Sequence, residues 1–353
     1  MIAYVGCRTT EQRNARGKGI RTYRIDEATG DWTELQTLKT PEENPSYQAL
    51  DHTHKFLYSV HGDFTKVSSY KILPDDTLEF LNMIDIGGKN PVFIVPDKTN
   101  QYMIVAALQG GSVYVIRRNE DGSLGEIVHE THLPGKKDDA VSFAHQCIWD
   151  QTQQYLFVVA QGRVVGYEQV KVLRFDSESG TLTETDTYRA RQYSEPRHVS
   201  IHPNNRWVYL INEKGNYMEF FEFDAETGKL HPRQILPSLP DTYTGEGQAS
   251  ASILSKNGKI LIGSNRIHES IVTYRIDQNT GFMTQLDFYP TLGLTPRFIT
   301  FDPDYKYFYI ANEDSDTIVE TTVDEETGRL NYTGRIIATE SPVCITFKEE
   351  AKS

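Results

Sequence analysis

A chain of 353 residues with 38% hydrophobic and 24% charged residues is too apolar for a disordered polypeptide and long enough for one large core or two ordinary ones. Its formal net charge of −13 argues against a duplex-binding surface, which needs Lys and Arg to neutralise phosphates, although a few arginines in a pocket can still attract a small anion. No apolar run approaches the ~18 residues of a membrane span, and the three cysteines, Cys7, Cys147 and Cys344, lack the spacing of a disulfide framework or a zinc site.

From the N-terminus, Met1 to Gly6 reads directly as a strand without the flanks of a signal peptide, so a cytoplasmic location is the default expectation. A second strand (Gly19 to Ile25) and a turn of the type D-x-x-T-G at Asp26 to Gly30 follow. A pattern then begins that returns every ~45 to 55 residues, near the upper end of propeller repeats. Each copy has a short strand, a Pro/Asp turn, an aromatic-rich strand, a polar corner and a third strand. The copies start at Pro45, Pro91, Ala144, Pro196, Ala249 and Pro296, and the turns return at Asp224 to Gly228, Asp277 to Gly281 and Asp324 to Gly328. Glycine ends each turn because the chain there needs a positive φ.

The N-terminal copy lacks its first strand, and Ser341 to Phe347 supplies it. Six whole copies and one shared by both termini predict an all-β, seven-bladed β-propeller. It is read as a single domain over 1–353, in which 341–347 closes the blade begun by 2–25. Closure of this kind leaves no blade-sized sheet edge open.

In a propeller the first strand of each blade lines the central channel, so aligned copies define rings. The position after the leading Pro or Ala reads Ser46, Val92, His145, Arg197, Ser250, Arg297 and Val343. The ring ending the second strands reads Arg8, Gly62, Leu108, Gln161, Glu213, Arg266 and Glu313, preceded by Cys7, His61, Ala107, Ala160, Asn212, Asn265 and Asn312. His145, Arg197, Glu213, Arg266, Arg297 and Glu313 should therefore converge on one mouth from four consecutive blades. Val92, Leu108 and Gly62 leave the other side plain. By the period-two rule His198 faces away from Arg197. His52, His54, His129, His132, His202, His231 and His268 fall in turns or on polar edges and are assigned to the surface.

The stretches Ala144-His145-Gln146, Glu195-Pro196-Arg197-His198 with Asn212-Glu213, Ser264-Asn265-Arg266 and Thr295-Pro296-Arg297 resemble the lactonase-type seven-bladed propellers. That family includes bacterial 6-phosphogluconolactonases and fungal carboxy-cis,cis-muconate cyclases, and the resemblance covers essentially the whole chain. In the cyclases a His, two Arg and a Glu are the proposed active-site set, which the resemblance places at His145, Arg197, Arg266 and Glu213.

The leading expectation is hydrolysis of a phosphorylated or carboxylated sugar-type lactone, without metal or cofactor, by a monomer or weak homo-oligomer that binds neither nucleic acid nor membrane. Glu213 is assigned as general base and His145 as proton donor, with the exchange of these roles left open. Arg197 and Arg266 would hold the substrate anion and the developing charge, with Arg297, Asn265, Asn212, Gln146 and Glu313 in support. Lactonisation by a cyclase and a non-catalytic propeller that binds a ligand or protein remain the alternatives.

Overall fold

In the computed structural model, which describes residues 1–349, seven four-stranded antiparallel sheets form the blades of a ring. Blades 1 to 6 span Pro45–Asp85, Pro91–His132, Phe143–Arg189, Pro196–Pro237, Gln248–Pro290 and Pro296–Ala338. Blade 7 is composite: the strand Pro342–Lys348 pairs with Ile2–Cys7, followed by Ile20–Ile25 and Trp32–Leu38. The closing register sets Ala3 opposite Phe347 and Val5 opposite Ile345. The expected fold and its closure are both present.

Alternation along the strands buries both faces of each blade, because every blade is covered by a neighbour on each side. The apolar core is accordingly divided into seven clusters among the described residues, one at each interface between blades. The second-strand tyrosines tie these interfaces together. Tyr58 donates its hydroxyl to Gly122 O in the turn of the next blade, and Tyr209 does the same to Gly281 O, each at 2.8 Å. Those turns accept at this position because Gly122 (φ +85°) and Gly281 (φ +79°) bend the chain through the left-handed region.

The feature that positions the site is a β-bulge repeated in every blade. The pairing of first and second strands slips between Pro45 and Tyr47, Pro91 and Phe93, Ala144 and Gln146, Pro196 and His198, and Pro296 and Phe298. In blade 5 the slip spans Ala249 to Ser252, and in blade 7 it skips Val343. The skipped residue is the member of the ring read from the sequence after the leading Pro or Ala, joined in blade 5 by Ala251. A bulge places two residues against one on the partner strand and re-aims their side chains. The period-two rule therefore fails there, and His198 shares the channel with Arg197 instead of facing away from it.

Candidate active site

The bulged residues and the ends of the second strands enclose a cavity of about 330 Å³ at one face of the channel. His145, Arg197, Glu213, Arg266 and Arg297 all line it. Its floor is a layer of rings. Tyr47 stacks on Phe93 at 4.0 Å and meets Phe298 edge-on at 6.2 Å, while His198 lies 5.8 Å from Phe93 and 5.3 Å from His145. Tyr47, His198 and Phe298 also line a second, more apolar cavity of about 270 Å³, so the ring layer divides the channel.

Glu213 is the centre of the charged cluster. Its Oε2 lies 3.4 Å from Arg197 Nε and accepts a 2.8 Å bond from Gln161 Nε2, and its Oε1 lies 3.1 Å from Arg266 Nη2. Burial alone would raise this carboxyl, but Arg266 and Arg197 outweigh it and hold it down at about 2. Each guanidinium is also tied to backbone, Arg197 Nη1 to Ser250 O at 2.6 Å and Arg266 Nη2 to Ala249 O at 3.1 Å. Planar, multiply bonded arginines cannot swing away, so the charge they present is fixed in place before a ligand arrives.

His145 lies deep in the channel yet keeps one face open to the cavity. Burial, reinforced by the positive charge of Arg197, holds its imidazole well below its ordinary range, so it is neutral at pH 7. Its Nδ1 is buried without a hydrogen-bond partner among the described residues. His198 is likewise held neutral, by burial and then by Arg197, whose Nη1 approaches its Nε2 at 3.4 Å.

The supporting residues expected from the sequence divide. Arg297 lines the cavity and pairs with Glu313, which backs it without lining the cavity itself. Gln146, Asn212 and Asn265 are not lining residues. Gln146 Oε1 accepts from Val199 N at 2.6 Å and its side chain borders the second cavity, because the bulge hands the upper position to His145. Asn265 Nδ2 donates to Ser238 O at 2.7 Å and Asn312 Nδ2 to Thr291 O at 3.0 Å, so these two members of the asparagine ring fasten the incoming connection rather than a ligand. Asn212, in the same ring, is fully buried. His202 is also buried rather than superficial, bonded to Gly258 O at 3.2 Å across the blade interface.

His61 performs the asparagine duty in blade 1, with Nδ1 2.9 Å from Glu43 O and Nε2 2.7 Å from Ser68 Oγ. Burial depresses it from 6.5 to about 4. The unfolded chain therefore takes up a proton near pH 6.5 that the folded chain refuses until about pH 4, and stability falls with pH across that window. Asparagine at this position, already used in blades 4 to 6, has no such titration. His61→Asn should flatten the dependence of the urea midpoint on pH between 6.5 and 4 while preserving the fold. An unaltered slope would contradict this assignment.

Among the lining residues that the sequence reading did not assign to the site are Arg8, Arg13, Arg163 and Tyr47. Arg8 stood in the second-strand ring but belongs to the composite blade, and Arg13 and Arg163 lie in connections, where strand alignment carries no signal. The side expected to be plain is so only in blade 2, at Val92 and Leu108.

A closed seven-bladed ring with a preorganised arginine and carboxylate cluster beside neutral imidazoles makes a channel-mouth site of the kind found in small-molecule propeller enzymes. The chain belongs to the lactonase family of seven-bladed β-propellers, whose family profile matches residues 2–347. It is 28% identical over 355 aligned residues to a 6-phosphogluconolactonase of Bacillus subtilis, covering 98% of each chain. A 6-phosphogluconolactonase of Formosa agariphila is 28% identical over 89% of this chain and 91% of its own. Among solved structures, a periplasmic gluconolactonase of Pseudomonas aeruginosa superposes with a TM-score of 0.87 over 98% of both chains at 24% identity, a likeness of fold.

Proposed function

We propose that this protein is a carboxylic-ester hydrolase that opens the ring of an anionic sugar lactone, as its 6-phosphogluconolactonase relatives are named for doing. The observation that carries the reading is the convergence of His145, Arg197, Glu213 and Arg266 on one cavity in a chain of the lactonase family.

The electrostatics favour exchanging the two roles first expected. A carboxylate held at about 2 by two guanidiniums is a weak base, and it already has its lone pairs engaged. The neutral imidazole of His145 borders the cavity and makes no ion pair among the described residues, so it is the better-placed acceptor. In this mechanism His145 removes a proton from water as the oxygen attacks the lactone carbonyl. Arg197 and Arg266 stabilise the oxyanion, and Glu213 keeps both guanidiniums in position. Collapse of the intermediate breaks the bond to the ring oxygen, which takes the proton back from His145, so the net reaction adds one water. The imidazolium formed on His145, disfavoured by burial and by the positive charge around it, returns its proton readily.

The test is ring opening of a panel of phosphorylated and non-phosphorylated sugar lactones, corrected for spontaneous hydrolysis. Arg197→Ala should lower kcat by roughly two to three orders of magnitude, the scale of losing one oxyanion donor. Arg197→Lys should recover little, because an ammonium cannot reproduce a bidentate fork. Wild-type rates equal to the background across the panel would end the hydrolase reading and leave a binding propeller.

A further inference from the structure

The cavity has a second charged pole that the mechanism does not use. Six guanidiniums line it, those of Arg8, Arg13, Arg163, Arg197, Arg266 and Arg297, and the carboxylates that pair with them are three, Glu213, Glu313 and Asp63. The surplus of three exceeds what one transient oxyanion balances. Arg197 and Arg266 share Glu213, and at the other pole Arg8 lies 3.5 Å from Asp63, a carboxylate already gripped by Arg13 through Nε at 2.8 Å and through Nη2. Arg8 Nε and Ser46 Oγ are both buried without a hydrogen-bond partner among the described residues. Burial lowers Arg8 to about 10, and the neighbouring charge of Arg297 adds to that.

Gly62 brings these groups together. A Cβ built there would lie 2.7 Å from Ser46 Oγ and would collide with Arg8 Nη1, although the φ of Gly62 is not one that demands glycine. The missing side chain therefore leaves room for the guanidinium to stand beside the hydroxyl. Arg8 belongs to blade 7 and Ser46 to blade 1, whereas His145 belongs to blade 3, three blades round the ring from Arg8 and two from Ser46.

The geometry points to a dedicated anion seat formed by Arg8, Ser46 and Arg297, which holds a phosphate group of the substrate across the cavity from the lactone carbonyl. The proposal rests on the lactonase reading for the identity of the other end of that substrate. A phosphate dianion carries up to two negative charges and three acceptor oxygens, so with the oxyanion it balances the surplus of three, whereas a single carboxylate leaves it unbalanced. Arg8 and Ser46 thus act on specificity, selecting a phosphorylated over a plain sugar lactone, and Gly62 is a positioning residue.

The experiment has a kinetic arm and a binding arm. In Arg8→Ala the ratio of kcat/KM for 6-phosphogluconolactone to that for gluconolactone should fall roughly 10- to 100-fold, mainly through KM, the scale of one charged hydrogen-bonding partner. Gly62→Ala keeps every charge and should lower the same ratio by displacing the guanidinium, which guards against a simple folding defect in Arg8→Ala. Equal losses on both lactones, or none, would overturn the seat. In the binding arm, calorimetry with 6-phosphogluconate, gluconate and inorganic phosphate needs no turnover. Affinity for 6-phosphogluconate should weaken in both variants relative to wild type, and inorganic phosphate should compete with it. Unchanged affinity, or no binding of either phosphate compound by the wild type, overturns the seat. A wild type that binds 6-phosphogluconate through Arg8 but opens no lactone would instead count against the hydrolase reading alone.

Discussion

His145→Ala is expected to lower kcat/KM for lactone hydrolysis by two to four orders of magnitude, the usual contribution of a positioned general base. The pH profile separates this role from the rival one. His145 is held neutral by burial and by Arg197, so the active form of the base persists from pH 8 to below its ordinary pKa of 6.5. Wild-type kcat/KM should stay level between pH 7.5 and 6.5 and fall only at lower pH, as the imidazole finally protonates. Were Glu213 the base, the fall would sit near pH 2, where its carboxylate accepts a proton. Glu213→Gln should also be impaired, since it strips two buried guanidiniums of their counter-charge, but its acid limb should keep the wild-type position. A His145→Ala protein that retains the wild-type rate and acid limb would remove His145 from the chemistry.

The sequence made the ring legible because propeller geometry repeats its punctuation. The Asp and Gly of the D-x-x-T-G turns and the leading Pro or Ala recur at fixed places, and the unmatched first strand of the N-terminal copy pointed directly to Ser341–Phe347. Local alternation, however, assumes an unbroken ladder. At Pro196 the ladder slips, so Arg197 and His198 both enter the channel, and the period-two rule sent His198 the wrong way. The same slip explains why His145 meets the cavity while Gln146 bridges to Val199. A slip at the same place in all the blades gives no contrast along the sequence, so aligned copies find the ring but not the bulge. The asparagines show the opposite limit. Asn212, Asn265 and Asn312 look like a polar ring poised for a ligand, yet a buried amide is equally suited to satisfying a carbonyl of the incoming connection, as Asn265 does for Ser238. Arg8 and Gly62 were visible as ring members, but only three-dimensional contact reveals that the glycine exists to make space for the arginine.

Truncation after Glu340 is expected to be the most damaging change to stability, because it removes the one strand that joins the two ends of the chain. The strand Pro342–Lys348 pairs along Ile2–Cys7, and Val343, Cys344 and Ile345 are all buried. At ~1.5 to 3 kcal/mol for each fully buried large apolar side chain, losing Val343, Ile345 and the packing of Phe347 against Trp32 and Tyr309 takes away a large part of the ~5 to 15 kcal/mol that stabilises a typical domain. The loss also uncovers an apolar strand edge at Ile2–Cys7, which invites aggregation. The damage should reach the cavity, since Val343 lines it and the backbone N–H of Arg8 donates to Ser341 O at 3.0 Å. The truncated protein should therefore unfold at a markedly lower temperature and lose whatever lactone turnover the full chain has. A synthetic peptide of residues 341–349, added in trans, should restore part of both, because it supplies the missing strand without any covalent tie. Thermal unfolding indistinguishable from the full-length protein, with no response to the peptide, would show that the ring does not depend on this closure.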